Sequence, residues 1–190
     1  MAAHAMRGRR APRRRFLTDA GGGVLIETAV ILPILVFLLL GGFEAGRYFL
    51  MGQKMQRAAM TVADLASRTE TLTAGDVDDL FAAAAEVSRP FPLTADGRVL
   101  VSSIVRPAAG GDAVVAWQRS AGAALTASAY GAEGETATVP DADLIKAGQS
   151  IIAAEVAIDY RPVLFDRFPV QPLYAHAAFR PRFSKTVTLE

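Results

Sequence analysis

The 190-residue chain contains no cysteine. That excludes disulfide bracing, thiolate nucleophiles and cysteine-held metals, so any folded part must be stabilised by packing. Histidine is nearly absent: there are only His4 and His176. Two such distant imidazoles make no metal cluster, and His176, within a final apolar stretch, reads as a structural residue. The single tryptophan, Trp117, falls on a strand pattern and reads as core or sheet face. No P-loop, nucleophile elbow or zincin helix occurs, and the glycines at 21–23 stand before a hydrophobic run, not between a strand and a soluble helix. Asp76, Asp78 and Asp79 lack the spacing and the distal glutamate of a calcium loop. Glu155 and Asp159 would share a face of one strand about 13 Å apart, too far for paired acid–base work. The sequence therefore predicts no enzyme, cofactor, metal or small-molecule substrate.

What the chain does have is one long apolar run and an uneven charge distribution. Val24 to Phe43 is long enough, at about 1.5 Å per residue, to cross a hydrocarbon core of about 30 Å as a helix. It exceeds the apolar core of about 7–15 residues typical of a secretory signal, and no small-x-small cleavage site follows it. Arginines 7, 9, 10, 13, 14 and 15 precede it with one acid, Asp19, which makes the first twenty residues +5 and the remainder −4. By the positive-inside rule that end stays in the cytoplasm and the rest emerges on the far side. A basic nucleic-acid arm would have the same composition, but the membrane span directly behind it favours topology, and no nucleic-acid partner is predicted.

Glu27 lies four positions inside the run. A carboxylate at mid-membrane costs roughly 2.5–3.5 kcal/mol, less near an end, so its presence points to a function. Pro33 introduces a bend that a membrane helix tolerates. Gly42 and Gly46 form a GxxxG pair, suited to local flexibility or to small-residue packing.

Past Arg47, Tyr48, Met51, Met55, Ala58, Val62 and Leu65 recur at alternating spacings of three and four. A single helix from Val24 to about Arg68, roughly 45 residues and ~68 Å long, would carry this stripe toward a head domain. The leader, residues 1 to about 22, has no apolar period and is expected to be disordered or surface-bound. A second helix is predicted over 76–88, with Asp76, Asp78 and Asp79 at its positive end, Leu80, Phe81, Ala84 and Val87 on one face, and Pro90 and Pro92 ending it. The period then changes to two. Val99, Val101, Ser103 and Val105 share a side, a Gly-Gly-Asp turn at 110–112 leads to a strand at 113–120, and 121–149 reads as a long loop with Tyr130 as its one large anchor. Strands are predicted again at 150–162, with Ile152, Ala154, Val156, Ile158 and Tyr160 on one face, and at 173–183. The fold class is α+β: a long N-terminal membrane-spanning helix continuing into a small head with an antiparallel sheet.

Residues 16–68 resemble the TadE-like pseudopilins of the tight-adherence (Flp-type) pilus system. The resemblance is carried by a glycine before the span, Glu27, Pro33 and the group Glu44, Gly46 and Arg47, and it extends to Trp117 with Arg119, AEVAIDYRPV at 154–163 and FRPR at 179–182. It implies a minor, non-enzymatic pseudopilin of the bacterial inner membrane, with residues 1–22 as a cytoplasmic leader, 23–46 as the span and 47–190 as a periplasmic head that includes the helix extension 47–68. The implied partners are the inner membrane, a prepilin peptidase, pilin and pseudopilin subunits and the pilus assembly machinery. In such pilins the peptidase cuts after a glycine so that a glutamate becomes the fifth mature residue. That points to the bond between Gly22 and Gly23 and assigns assembly to Glu27. Cutting after Gly21 or Gly23 would make Glu27 sixth or fourth, and Thr28 stands where the family usually has an aromatic. The alternative is an unprocessed, single-pass periplasmic scaffold or binding module.

Overall fold

The computed structural model describes residues 20–123, 127–140, 145–164 and 169–190. The expected disorder of residues 1–19 lies outside the described residues, as do parts of the expected 121–149 loop. The chain divides into two compact units, Met1–Phe43 and Glu44–Glu190.

Helix α1 (Ala20–Ala66) passes through Pro33 without a break. It begins four residues before the expected start at Val24, so Gly21, Gly22 and Gly23 are helical and not part of an irregular leader. Carbonyls in a helix's first turn accept bonds from residues further on, so a strong apolar helix extends backward over them. In the first unit the apolar side chains from Val24 to Leu39 are exposed all round the helix, as expected of a segment whose solvent is lipid. Among the described residues this is the one helix long and apolar enough to cross a membrane.

The second unit is α+β. Its order after the helix is β1 (Thr71–Leu72), α2 (Ala74–Ser88), α3 (Leu93–Asp96), β2 (Gly97–Val105), β3 (Val114–Gly122), β4 (Ser150–Tyr160), β5 (Gln171–Phe179) and β6 (Thr188–Leu189). Four strands form an antiparallel sheet in the order β3-β2-β4-β5, and β1 pairs in parallel with β6.

The principal core lies between one face of the sheet and the two longer helices. Helix α1 contributes Met51, Met55, Ala58, Ala59, Val62, Ala63 and Ala66, α2 contributes Val77, Leu80, Phe81 and Ala84, and the sheet supplies Val99, Val101, Ile152, Ala154, Val156, Ile158 and Tyr160. Leu65, expected on the buried stripe, is exposed, and Ala66 is buried in its place. Toward its C-terminal end the contact face is mostly alanine, Ala58, Ala59, Ala63 and Ala66, so the helix packs there through small side chains.

Helix α2 starts at Ala74, two residues earlier than expected, because Thr73 caps it. The Asp76 amide donates to Thr73 Oγ1 at 3.3 Å and the Thr73 amide donates to Asp76 Oδ2 at 2.8 Å, a reciprocal capping box. Asp76 is thus a specific capping partner as well as a dipole charge.

A second, smaller core covers the other face of the sheet, where Ile104, Ala113, Val115, Ile151 and Ala153 meet Tyr130 and Ile145. The long connection after β3 is therefore a cover for the sheet, with two large anchors where the sequence pattern showed one. A bulge makes this possible. Ser103 pairs with Trp117 while Ile104 pairs with Val115, leaving Ala116 as the extra residue. Without it Val115 and Trp117 would share a face, whereas here Val115 enters the second core and Trp117 the first. Strand β3 ends at Gly122, whose φ is +111° and where a Cβ would lie 2.3 Å from the Gly97 carbonyl oxygen; no other residue type fits that site.

Candidate functional site

The residues singled out in the apolar run stand apart from one another along α1. The Gly22–Gly23 bond lies near its N-terminal end, within helix. Glu27 is exposed, and no described side chain pairs with it. Gly42 and Gly46 are exposed too, and a Cβ on either would meet nothing within 4 Å. Among the described residues neither glycine is needed for packing within the chain.

The polar constellation that the fold assembles begins one residue beyond the apolar run. Glu44 is only 9% exposed. Its carboxylate accepts a hydrogen bond from the Tyr160 hydroxyl and bonds from the backbone amides of Val163, at 3.2 Å, and Leu164, at 2.9 Å. The Tyr160 hydroxyl also lies 3.3 Å from the Glu44 carbonyl oxygen. Tyr160 is placed by β4, whose alternation turns it into the principal core, and its ring meets Tyr48 edge-on at 5.3 Å. Arg47, one turn along α1, acts electrostatically on both Glu44 and Tyr160. Burial, then the hydrogen bond and charge of Glu44, push the Tyr160 phenol up to about 12, and Arg47 partly offsets the rise. This arrangement is a clamp: one carboxylate ties the chain just after β4 to α1. The geometry supplies three donors to a fixed carboxylate.

A second tie lies further along the helix. Asp64 accepts from Arg68 on one side and from Arg182 at 2.7 Å on the other, and the Arg182 amide donates to the Ser67 carbonyl at 2.9 Å. Trp117 Nε1 donates to the Val187 carbonyl at 2.8 Å, fixing the C-terminal segment against the core. Arg119 pairs with Glu133 at 3.1 Å. The tail segments that carry the resemblance are therefore the ones that close the head onto α1 and its C-terminal segment.

On the opposite face of the sheet Glu155 is 1% exposed. It accepts from the Ser128 hydroxyl, from the Ala129 amide at 2.7 Å and from the Tyr174 hydroxyl at 2.7 Å. The Tyr174 phenol is raised by burial and by this carboxylate, and Tyr130 is raised by burial and the charge of Glu155. Glu155 is consumed in holding the cover of the second core, while Asp159 is exposed. His176 pairs across the strands with Glu155, is exposed, and its ring lies 5.6 Å from that of Tyr174 and 6.2 Å from that of Tyr130. Among the described residues no cluster of His, Asp and Glu could hold a metal ion.

Sequence reasoning placed Glu44 within the family-like group but gave it no role, and it missed Asp64. Both are acids on the helix that carry no weight in an apolar pattern. The available signal was the pairing of each with a tail motif, Tyr160 within 154–163 and Arg182 within 179–182.

Glu27, Pro33, Gly42, Glu44, Gly46, Arg47 and Asp64 all lie on one stretch of α1. Residues 22–64 match the TadE-like protein family. The TadE-like match thus begins at the candidate cleavage bond, runs the length of the apolar segment and ends at the acid that holds Arg182. No curated protein and no solved structure matches the chain.

Proposed function

We propose that this chain is a minor pseudopilin that supports assembly of a Flp/Tad-type adhesive pilus and is structural, not catalytic. The observation that carries the reading is the TadE-like match over 22–64, which joins the glycine run, Glu27 and the apolar segment to the helix face that builds the head. On this reading residues 1–22 are a cytoplasmic leader, 23–46 cross the inner membrane once, and 47–190 form a periplasmic head. A prepilin peptidase cuts between Gly22 and Gly23, and the new α-amine and Glu27 become assembly groups.

The physics of Glu27 supports this role. Its carboxylate has no partner among the described residues, and an unpaired charge in a low-dielectric layer is costly. A neighbouring subunit's N-terminal amine would satisfy both charges, so lateral docking of helices is favoured over isolation. Gly42 and Gly46 leave room for such an approach. The partners are pilin and pseudopilin subunits, recognised through helix packing and head contacts.

Replacing Glu27 by Ala tests this. Pilus assembly, or co-purification with pilin subunits, should fall while the head remains folded. Unchanged assembly, processing and co-purification would contradict the role given to Glu27. The second reading, an unprocessed single-pass scaffold, is favoured by Thr28, which replaces the aromatic expected after the glutamate.

A further inference from the structure

A strand at the end of a sheet carries a row of backbone groups with no strand to pair with, and this sheet ends on β3 at one side and on β5 at the other. Successive residues turn their N–H and C=O groups to opposite edges, so one outside contact fixes the direction of the rest. On β5 the Gln56 side chain, from α1, donates to the His176 carbonyl at 3.1 Å, so Tyr174, His176 and Ala178 face the open edge. On β3 the Gln118 amide donates to Glu133 Oε2 at 3.1 Å, which makes Ser120 and Gly122 the outward residues there. Carried through β2 and β4, the alternation from either side gives the same result. Val115, turned outward by the Ala116 bulge, is already paired with Gly134 and Glu135. Among the described residues no backbone hydrogen bond meets the outward amides of Ser120, Gly122, Tyr174 or His176.

The two open stretches stand at one level of the sheet. Ser120 is aligned through Leu100 and Glu155 with His176, and Gly122 through Arg98 and Ala157 with Tyr174. All four end residues are exposed. Every step across the sheet is antiparallel, so β3 and β5 run in opposite directions. A copy shifted sideways across the strands therefore sets its Ser120 beside His176 and its Gly122 beside Tyr174, in antiparallel register. Each such pair exchanges two backbone bonds, and the His176 carbonyl has a second lone pair besides the one Gln56 uses. The side chains also suit each other. Tyr174 meets a glycine and His176 a serine, while on the other face Ala175 meets Ala121. A groove of about 310 Å³ beside Ser120, between Arg119, Phe81 and Leu189, leaves that part of β3 approachable.

Resting on the reading of the chain as a pilus-assembly subunit, we propose that the β5 edge of one copy pairs with the β3 edge of a second copy, His176 with Ser120 and Tyr174 with Gly122, so that the sheet continues from head to head. The contact is heterologous: each copy keeps one open edge and the array runs on, as a fibre requires, whereas β5 paired with β5 would close at a dimer and leave β3 unused. The pairing cannot spread. At one end Pro172 has no N–H to give, and at the other Glu133 covers the Gln118 amide, which bars indiscriminate strand addition. Two short pairs hold weakly by themselves, so the contact depends on copies already concentrated side by side in one assembly.

The chain's lack of cysteine allows the test. Hydrogen-bonded antiparallel partners stand about 5.5 Å apart at Cα, inside the range of about 4.4–6.8 Å that a disulfide spans. Within one chain Ser120 and His176 are three strand spacings apart, roughly 14 Å, and cannot bridge. Full-length Ser120→Cys and His176→Cys chains are expressed singly, together on differently tagged copies, and as the double variant, then oxidised in membranes of the expressing cells. The two chains together should give a mixed dimer, the double variant a ladder of dimers, trimers and longer products, and each single variant several-fold less product. A His176→Cys dimer as abundant as the mixed one would show β5 pairing with itself and overturn the proposal. So would the absence of product from chains that keep native Trp117 emission. Amide exchange tests the unmodified chain: peptides bearing residues 120–122 and 174–176 should exchange several-fold more slowly in membranes than in detergent-dispersed monomer, and equal rates contradict the pairing. Edge pairing and the role of Glu27 fail separately. A ladder together with normal pili from Glu27→Ala keeps the pairing and removes that role, whereas no ladder together with lost pili from Glu27→Ala does the reverse.

Discussion

The Tyr160 hydroxyl donates to the carboxylate of Glu44 across a sequence separation of 116 residues, joining the last residue of β4 to the helix one position beyond its apolar run. Removing the carboxylate by Glu44→Ala strands that hydroxyl and the amides of Val163 and Leu164. At about 1–3 kcal/mol for each buried donor left unpaired, and with water able to reach the two amides, a loss of about 2–4 kcal/mol in head stability is expected. Glu44→Gln keeps an acceptor and should lose much less. Trp117, the only tryptophan and buried in the principal core, reports the unfolding through its emission in denaturant. Equal effects of the two variants would contradict the clamp.

Alkali should act on the same pair. The Tyr160 phenol, pushed up to about 12 from an ordinary value of 10, contributes stability that is complete below pH 10 and lost as pH rises through about 12. Tyr130 and Tyr174 are raised as well. Phenolate absorbance of the native chain should therefore lag that of the denatured chain in this alkaline window, and Tyr160→Phe should remove part of the lag. Coincident curves would count against the raised phenols.

The capping box makes an acid-side prediction of the opposite sign. Bonds from the Thr73 hydroxyl and then the Thr73 amide hold Asp76 below its ordinary value of 3.8. Its contribution is present above that value and lost as pH falls below it. Thr73→Ala should cost about 1 kcal/mol, within the usual range for a lost N-cap. Asp76→Asn should flatten the acid end of the stability profile, and an unchanged profile would argue against the box.

Glycines separate folding from assembly. Gly97→Ala would put a Cβ 2.7 Å from the backbone oxygens of Leu93 and Ala157, and Gly122→Ala adds a strained φ to its collision with Gly97. Both should destabilise the head by more than about 1–2 kcal/mol. Gly42→Ala and Gly46→Ala meet open space, so head stability should be unchanged while co-purification with pilin subunits falls. If assembly tolerates both alanines, the two glycines are not a packing surface.

Much of the fold was legible because hydrophobic period reports burial directly. The stripe from Tyr48 to Val62, the face of α2 and the alternation in β2 and β4 each record one buried side. Other features leave no periodic trace. Thr71–Leu72 and Thr188–Leu189 are too short to show alternation, and their pairing joins distant parts of the chain. The Ala116 bulge moves Val115 and Trp117 to opposite faces without changing composition. The helix positions that match the TadE-like family were readable as a motif, because glycine, an acid and an apolar run occur in order along one helix. The partners of Glu44 and Asp64 were not, since Tyr160 and Arg182 meet them only through tertiary packing.

The central claim concerns the bond between Gly22 and Gly23. The most direct measurement is the N-terminus of the protein recovered from cells with an active prepilin peptidase, read by sequencing or intact mass. The account predicts a chain beginning at Gly23, which makes Glu27 its fifth residue. An intact leader with all six arginines still attached would contradict it.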